Sequence, residues 1–329
     1  MNTRTLVAAL AGLSLIAAAC GSDSDSDEST GTDPPTTESV TTEPVDSEPA
    51  VTEPAATEPA ASEPASPERV VSLSPTHTEI MFAIGAGDLL VAVDDFSNYP
   101  AEALELPNEL SGFEPNVEAI ASYEPDLVLI GGDFTGLGDQ LAELDIESWD
   151  GPAASTISDT YTQIEQLGAA TGNVAEAAEL VSSMQTRIDE IVAESGDSGV
   201  GLNFYHELDP TYFSADSSTF IGEVYGALGL ENIADGDDTE SFGFPQLNAE
   251  FIVAANPDLL FLADTKCCAE TADTVAVRPG WDAIAAVKNG NVIEMDDDIA
   301  SRWGPRIVDY LEDVAGAVAD VEVGVVAES

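Results

Sequence analysis

The chain has 329 residues, of which 63 are acidic and only 8 are basic, so its formal net charge at pH 7 is −55. A charge of this sign and size repels nucleic acids and anionic membrane surfaces, which excludes both as partners. The length is sufficient for two ordinary domains.

The first 19 residues are typical of an export signal. Arg4 precedes an apolar run that ends in small residues before Cys20, and the run is too short for a membrane-spanning helix. This ending resembles a bacterial lipoprotein signal, although Ala17 stands where that pattern usually has leucine. We therefore expect 1–19 to be a signal peptide and Cys20 to carry a lipid anchor at the extracytoplasmic face of the cell membrane. The alternative is an ordinary signal with a chance cysteine.

Residues 20–68 form a predicted acidic linker. The segment is rich in Ser, Thr, Glu, Asp and Pro, and Ser/Thr-Glu-Pro recurs about every five residues. It has too little apolar surface to offset the entropy of ordering, and its prolines and like charges keep it extended. We predict a disordered stalk between the anchor and the folded part.

Strand and helix patterns alternate in residues 69–158, which predicts a first α/β lobe. Apolar runs at 69–73, 91–93 and 146–149 are predicted strands, and 76–85 is a predicted helix with a glycine stop. Such alternation is typical of a parallel sheet with helices on both faces, and ligands bind beyond the carboxyl ends of its strands. The candidate ligand-binding residues at these ends are Ser74, Thr76, His77, Asp95, Phe96, Phe134 and Thr135.

One sequence unit occurs twice in the chain. Glu118 lies seven residues before Pro125, and Glu250 lies seven residues before Pro257. In both copies apolar helical turns lead to Pro-Asp and then to a short apolar run, which predicts a helix that ends before the proline and a buried parallel strand after it. The repeat indicates two similar lobes, the alternative being a chance recurrence.

A long helix is predicted between the lobes. Apolar residues at three-four spacing from Val174 to Ile191 predict a helix of about 30 Å, so that 159–197 forms connecting helices and 198–329 a second α/β lobe. A stiff connection predicts little hinge motion. The candidate ligand-binding residues of the second lobe are Tyr205, His206, Glu207, Lys266, Cys267, Cys268, Arg302 and Trp303.

Three stretches together resemble one protein family. They are 69–88, Pro115-Asn-Val-Glu118 with the Pro-Asp-Leu-Val-Leu that follows it, and Ser301-Arg-Trp-Gly-Pro-Arg. This combination resembles the substrate-binding lipoproteins of ABC importers for iron-siderophores, haem and vitamin B12. The resemblance implies two Rossmann-like lobes joined by one long backbone helix. It also implies that Glu118 and Glu250 dock onto arginines of the permease, since ion pairs on matching lobes set the register of docking.

The ligand that we expect is a metal chelate, either a ferric siderophore or cobalamin, bound in the cleft between the lobes and delivered to an ABC permease. Direct binding of zinc or manganese is the alternative that His77 and His206 suggest, although a firm site needs three or four protein ligands. A surface sensor or adhesion module on the same fold is the other alternative. The chain has no Gly-x-Ser-x-Gly or His-Glu-x-x-His motif, so we expect no enzyme. We expect a monomer without a cofactor.

Two features of the second lobe leave alternatives open. Arg302 can pair with an anionic group of a siderophore or corrin, or it can form an internal salt bridge. Cys267 and Cys268 are adjacent, and a disulfide between neighbours is strained because their Cα atoms lie about 3.8 Å apart. An exported protein nevertheless meets oxidants, so a vicinal disulfide and a thiol pair both remain possible.

Overall fold

The computed structural model describes residues 66–236 and 242–321. The predicted signal peptide at 1–19, Cys20 and nearly all of the linker at 20–68 lie outside these ranges. Within the described ranges, no helix combines the length and the apolar character that a membrane crossing requires.

The first lobe is built on a parallel four-stranded sheet. Its strands are β1 (Val70–Ser72), β2 (Leu90–Val93), β3 (Leu127–Ile130) and β4 (Glu147–Asp150), in the order β2-β1-β3-β4. Its helices are α1 (Pro75–Ala83), α2 (Val117–Ala121) and α3 (Leu137–Ala142). The central strands β1 and β3 are buried at every residue, as parallel strands covered on both faces must be.

The second lobe repeats this topology. Its strands are β5 (Asn203–Glu207), β6 (Glu231–Asn232), β7 (Leu259–Leu262) and β8 (Val292–Glu294), in the order β6-β5-β7-β8. Its helices are α6 (Phe220–Ala227), α7 (Ala249–Ala255), α8 (Thr265–Cys268), α9 (Ala272–Ala276), α10 (Ala285–Asn289), α11 (Asp297–Ser301) and α12 (Ile307–Ala319). The prediction of two parallel α/β lobes is therefore confirmed.

The repeated sequence unit folds in the same way in both lobes. Asn116 caps α2 and Asn248 caps α7, each accepting a hydrogen bond from the backbone amide three residues on, at 3.0 Å and 2.9 Å. Glu118 and Glu250 are therefore the second residues of their helices, where the helix dipole favours a carboxylate. Both side chains are exposed.

Two helices connect the lobes, α4 (Ile157–Thr171) and α5 (Val174–Ser195). The 22 residues of α5 span about 33 Å. Ala177, Val181 and Met184 pack into the core of the first lobe, whereas Ile191 packs into that of the second. One rigid helix therefore belongs to both cores. The lobe boundaries at 158 and 198 remain predictions.

A buried ion cluster also joins the lobes. Glu79 of α1 accepts from Arg302 at 2.7 Å and from Arg306 at 2.8 and 2.5 Å. Glu79 and Arg302 are almost fully buried, and Arg306 is largely so. Both arginines come from the second lobe, next to the start of α12. One first-lobe carboxylate therefore forms ion pairs with two second-lobe cations.

Several boundaries that the sequence pattern of the second lobe predicts are wrong. The polar residues of 296–304 predict a loop, but the segment contains α11, because Asp296 caps a helical turn there. The pattern at 281–287 predicts one helix, but the extended backbone of Ile284 divides it into a 3-10 turn (Trp281–Ala283) and α10. The apolar run at 201–205 predicts a strand that ends at Tyr205, but β5 pairs with β7 as far as Glu207.

We predict that Glu79→Gln lowers the free energy of unfolding by about 3 kcal/mol, because it leaves the largely buried Arg306 without its carboxylate and leaves Arg302 with Asp298 alone. Urea unfolding of the purified chain measures the change. Glu312→Gln is the control, since Glu312 pairs with Arg187 at the exposed surface and such pairs contribute little. Equal midpoints for Glu79→Gln and the wild type would show that the cluster does not hold the lobes together.

Candidate functional site

A cavity of about 460 Å³ lies at the carboxyl ends of the first-lobe strands. Residues that follow β1, β2 and β3 form most of its wall, among them Ser74, Asp94 and Gly131. Residues of the second lobe between 298 and 303 form the remainder. The cavity therefore lies between the lobes, at the sheet edge where α/β proteins bind ligands, and its volume is in the usual range for small-molecule sites.

Three phenylalanines with large exposed areas surround the cavity, and we call them the aromatic rim. Phe96, Phe113 and Phe134 are 51%, 79% and 93% exposed, and all three line the cavity. Phe96 and Phe113 meet edge to face, with ring centroids 5.8 Å apart. A cavity rim with so much exposed aromatic surface is suited to a ligand with a large apolar face.

The loop between β3 and α3 holds Phe134 at the rim. Asp133 accepts hydrogen bonds from the backbone amides of Leu137 at 2.7 Å and Gly138 at 2.9 Å, which closes the loop over the start of α3. Gly136 adopts a left-handed conformation with φ of 70°, which glycine allows without strain. The carboxylate therefore fixes the loop while the ring of Phe134 extends into solvent.

Arg302 reaches the cavity wall, but both terminal nitrogens of its guanidinium already have partners. It donates to Glu79 at 2.7 Å, Asn98 Oδ1 at 2.9 Å, the Phe96 carbonyl at 2.9 Å and Asp298 at 2.8 Å. The internal salt bridge, one of the two alternatives for Arg302, is thus present. Two carboxylates, Glu79 and Asp298, already balance its charge, which disfavours an ion pair with an anionic ligand.

The structure places about half of the predicted ligand-binding residues in the cavity wall. Those that line it are Ser74, Thr76, Phe96, Phe134, Thr135, Arg302 and Trp303. Those that do not line it are His77, Asp95, Tyr205, His206, Glu207, Lys266, Cys267 and Cys268. The difference arises mainly because the second lobe contributes α11 and the residues after it, rather than the ends of its central strands.

Both histidines are buried inside their lobes. His77 hydrogen-bonds Gln163 at 3.2 Å and packs edge-on against Trp149, and His206 hydrogen-bonds the hydroxyl of Tyr225 at 2.8 Å. Burial lowers the pKa of His77 to about 4 and that of His206 to about 3, because a low-dielectric interior disfavours the charged ring. Each ring is therefore neutral near pH 7.

The other second-lobe candidates have partners of their own. Glu207 is buried and makes a bidentate ion pair with Arg278 at 2.7 and 2.6 Å. Lys266 pairs with Asp298 at 2.8 Å. Cys267 and Cys268 form a disulfide in α8, so of the two alternatives the structure has the bonded one. Among the described residues, no group of three or more His, Cys, Asp and Glu side chains is arranged to hold a metal ion.

Sequence reasoning missed Phe113, Asp94 and Asp298, which all line the cavity. A signal for Phe113 was present, because Gly-Phe precedes the capping asparagine in both repeats, as Gly112-Phe113 and Gly243-Phe244. Asp94 offered no comparable signal, because the sequence does not distinguish it from the adjacent Asp95, which is exposed.

Comparison with known proteins identifies the family. The family model described as periplasmic binding protein matches residues 70–299. The chain belongs to the periplasmic binding protein family. A member of this family from Bacillus subtilis, an uncharacterized ABC transporter substrate-binding lipoprotein, is 31% identical over 260 residues, which cover 77% of this chain and 80% of the relative. The relatives in this family are substrate-binding proteins of ABC transporters and not enzymes, and the present chain is a substrate-binding protein of the same class.

Two further similarities concern proteins whose names include a ligand. A cobalamin-binding protein from Halobacterium salinarum is 31% identical over 263 residues, which cover 76% of this chain and 69% of the relative. The structure of a periplasmic vitamin B12-binding protein from Vibrio cholerae aligns with a TM-score of 0.65 and 25% identity, covering 77% of this chain and 97% of that one. The fold and the family therefore agree.

We predict that neither histidine takes up a proton until the pH falls below about 5, because both are buried as neutral rings. The chain has only two histidines, so two-dimensional NMR of their ring carbons follows each one separately. The unfolded chain binds these protons near pH 6.5, so the protein also loses stability as the pH falls from about 6.5 towards 4.

Two results would contradict this prediction. A protonation midpoint near 6.5 for either ring would mean that the ring is open to solvent. A shift of either resonance on addition of Zn²⁺ or Mn²⁺ to the folded protein would support the direct metal-binding alternative instead.

Proposed function

We propose that this protein is the extracytoplasmic solute-binding component of an ABC importer. It captures a metal chelate in the cavity between the lobes and delivers it to the permease. Cobalamin is the first candidate ligand and a ferric siderophore the second. The aromatic rim carries the proposal, because Phe96, Phe113 and Phe134 offer a large apolar surface at the mouth of a mostly apolar cavity with a few polar groups.

A pre-formed chelate suits this cavity better than a free metal ion. A chelate already supplies the ligands of its metal, so the protein needs shape, apolar surface and a few polar groups. Those are the features of the wall, where Ser74, Thr76 and Thr135 lie among the aromatic rings. A free zinc or manganese ion would need several converging ligands, and the described residues include no group of three or more His, Cys, Asp and Glu side chains arranged to hold one. His77 and His206 are buried and do not line the cavity.

Two of the similar proteins support a corrin ring as the first candidate. The Halobacterium salinarum relative is named as a cobalamin-binding protein and the Vibrio cholerae structure as a vitamin B12-binding protein. A corrin has a broad apolar face and many uncharged amide side chains, which match an aromatic rim and hydroxyl groups. It does not need a free arginine, and Arg302 is already paired with Glu79 and Asp298.

Docking to the permease is assigned to Glu118 and Glu250. They occupy equivalent positions on α2 and α7 of two lobes with the same topology. Both are exposed, and Glu118 of the first lobe is separated from the aromatic rim by only four residues of chain. A pair of carboxylates related in this way can address a permease made of two similar halves.

The proposal includes the anchor and the stalk. Cys20 would carry lipid at the extracytoplasmic face of the cell membrane, and the acidic linker at 20–68 would separate the lobes from the bilayer. The lobes would move little relative to each other on ligand binding, because α5 and the Glu79 cluster join them. A sensor or adhesion module would need the cavity but not the paired glutamates.

We predict saturable quenching of tryptophan fluorescence by cyanocobalamin at sub-micromolar concentration, because Trp303 lines the cavity. Ferric siderophores, haem and the salts of Zn, Mn and Fe complete the panel. Phe134→Ala and Phe113→Ala should each weaken chelate binding about tenfold, equivalent to about 1.4 kcal/mol.

The control for these variants is Phe251→Ala, which removes an exposed phenylalanine of α7 that does not line the cavity. Equal affinity of all three variants for the chelate would show that the aromatic rim does not contribute to ligand binding. Absence of quenching by every chelate would contradict the importer proposal and favour the sensor or adhesion alternative, whereas quenching by a free metal alone would favour a direct metal receptor.

We predict that the double variant Glu118→Arg with Glu250→Arg binds the chelate as the wild type does but supports uptake at less than about one tenth of its rate, since like charges at a docking surface oppose association. Uptake of radiolabelled chelate by cells that produce the chain and its permease measures this. The double variant Glu176→Arg with Glu179→Arg, at exposed positions of α5, makes the same charge change as a control. Unchanged uptake by the variant Glu118→Arg with Glu250→Arg would show that docking uses another surface.

A further inference from the structure

Asp94 is a buried carboxyl at the floor of the cavity. It follows the last residue of β2, its side chain is only 2% exposed, and it belongs to the cavity wall. Its Oδ2 lies beside Gly112, where a β-carbon would approach this oxygen to 3.7 Å and the carbonyl oxygen of Leu73 to 2.4 Å. A β-carbon here would collide with the Leu73 carbonyl, so the position requires glycine. The absence of a side chain also leaves space beside Oδ2 of Asp94.

The other carboxyl oxygen of Asp94 ends a chain of buried hydroxyl groups. Oδ1 contacts the hydroxyl of Ser97, which lies 2.8 Å from the hydroxyl of Thr78. Thr78 donates to Ser72 at 2.9 Å, and Ser72 donates to the carbonyl of Ser74 at 3.1 Å. All three hydroxyl groups are buried, so water does not supply alternative partners readily.

The hydrogen atoms of this chain do not suffice if Asp94 is ionised. Four contacts join the carboxyl, the three hydroxyls and the carbonyl, and each needs one proton, whereas each hydroxyl has only one to donate. The protons of Ser72 and Thr78 are used towards Ser74 and Ser72. Ser97 donates to an ionised Asp94, and the contact between Ser97 and Thr78 then has no proton. If Asp94 holds a proton, Asp94 donates to Ser97 and Ser97 donates to Thr78, so that all four contacts are hydrogen bonds.

We infer that Asp94 holds a proton at the cavity floor, so that the site offers its ligand an uncharged acceptor, and that loss of this proton weakens ligand binding. The part of this inference that concerns the ligand rests on the proposed function. The protonated Oδ1 donates a hydrogen bond to Ser97. Oδ2 then remains as a carbonyl-type oxygen that faces the cavity. Such an oxygen accepts a hydrogen bond from an uncharged amide N–H, the type of donor that a carboxamide-bearing chelate carries.

The charges around Asp94 agree with a retained proton. Burial, the largest influence, raises the pKa of Asp94 to about 6, and the neighbouring Asp95 also raises it. Hydrogen bonding of Ser97 and of the Phe96 backbone amide to the ionised carboxylate lowers this pKa, as does the charge of Arg302. Arg302 is already paired with Glu79 and Asp298. The carboxylates of Asp133 and Asp298 line the same cavity and also disfavour a further negative charge there.

A ligand that covers the cavity further favours the protonated form of Asp94. An ionised Asp94 would have three of the four hydrogen bonds in the buried chain and an unneutralised charge under an apolar ligand, which is costly. A neutral Asp94 keeps all four and has no charge to desolvate. Ligand binding is therefore linked to proton binding, and affinity for an uncharged chelate should rise as the pH falls towards 5.

The first test uses the protein without ligand. Asp94→Asn imitates the protonated side chain, because its amide N–H₂ donates to Ser97 and its oxygen remains towards the cavity. Between about pH 4 and pH 6, Asp94 binds a proton in the folded protein but not in the unfolded chain. The stability of the wild-type protein therefore falls as the pH rises through this range. Relative to Asp94→Asn, the folding equilibrium constant of the wild type should fall roughly 100-fold between pH 4 and pH 7.5. The histidines contribute equally to both proteins and cancel.

The matched control is Asp88→Asn, which removes an exposed carboxyl before the other end of β2 and should leave the pH dependence unchanged. A constant difference between wild type and Asp94→Asn across this range would overturn the inference. If Asp94→Asn does not fold, Ser97→Ala replaces it. In this variant a late-titrating aspartate resonance in the carboxyl ¹³C spectrum should change its midpoint, and an unchanged spectrum would overturn the inference.

The second test measures cyanocobalamin affinity over the same pH range. The wild type should bind about tenfold more tightly at pH 5.5 than at pH 7.5, and Asp94→Asn should bind equally at both. Affinity that is independent of pH in the wild type would overturn the inference about ligand binding even though the chelate binds. Absence of binding at every pH would contradict the proposed function and the ligand part together, while the ligand-free experiment decides on the proton alone.

Discussion

The cavity depends on one buried carboxylate. Glu79 of α1 forms ion pairs with Arg302 and Arg306 of the second lobe, and Arg302 in turn binds the Phe96 carbonyl and Asn98 of the first lobe. The position of the aromatic rim is therefore tied to the same guanidinium that joins the lobes. A buried cluster of this kind contributes more to one defined arrangement than to net stability, since desolvation offsets much of its Coulomb energy.

The long helix complements this cluster by a different kind of interaction. Val181 and Met184 of α5 lie in the first core and Ile191 in the second, so separating the lobes would expose apolar surface from one or both cores. The ion cluster fixes orientation, and the shared helix fixes distance. The binding site thus lies between two bodies that are joined by both polar and apolar contacts.

The ligand that we propose is uncharged, although the protein is strongly acidic. The net charge is −55, yet the charged groups at the wall are either paired, as Asp298 is with Lys266 and Arg302, or engaged in capping, as Asp133 is. Asp94 is the exception within the described part of the wall, and the proton that we infer for it removes its charge below about pH 6. The acidic surface then supports solubility without placing unpaired charge beneath such a ligand.

The sequence by itself determined the two lobes, because the repeat from Glu118 to Pro125 and from Glu250 to Pro257 is local and its helix, proline and strand signals act within a few residues. It also predicted that Ser74, Phe96, Phe134 and Trp303 lie near one another, and these residues line the cavity, since residues after parallel strands meet at one edge of the sheet. The buried positions of His77 and His206, the partners of Arg302 and the proton on Asp94 depend on residues far apart in the chain. Only the tertiary structure decides those, because burial and pairing are properties of neighbours in space and not of spacing along the sequence.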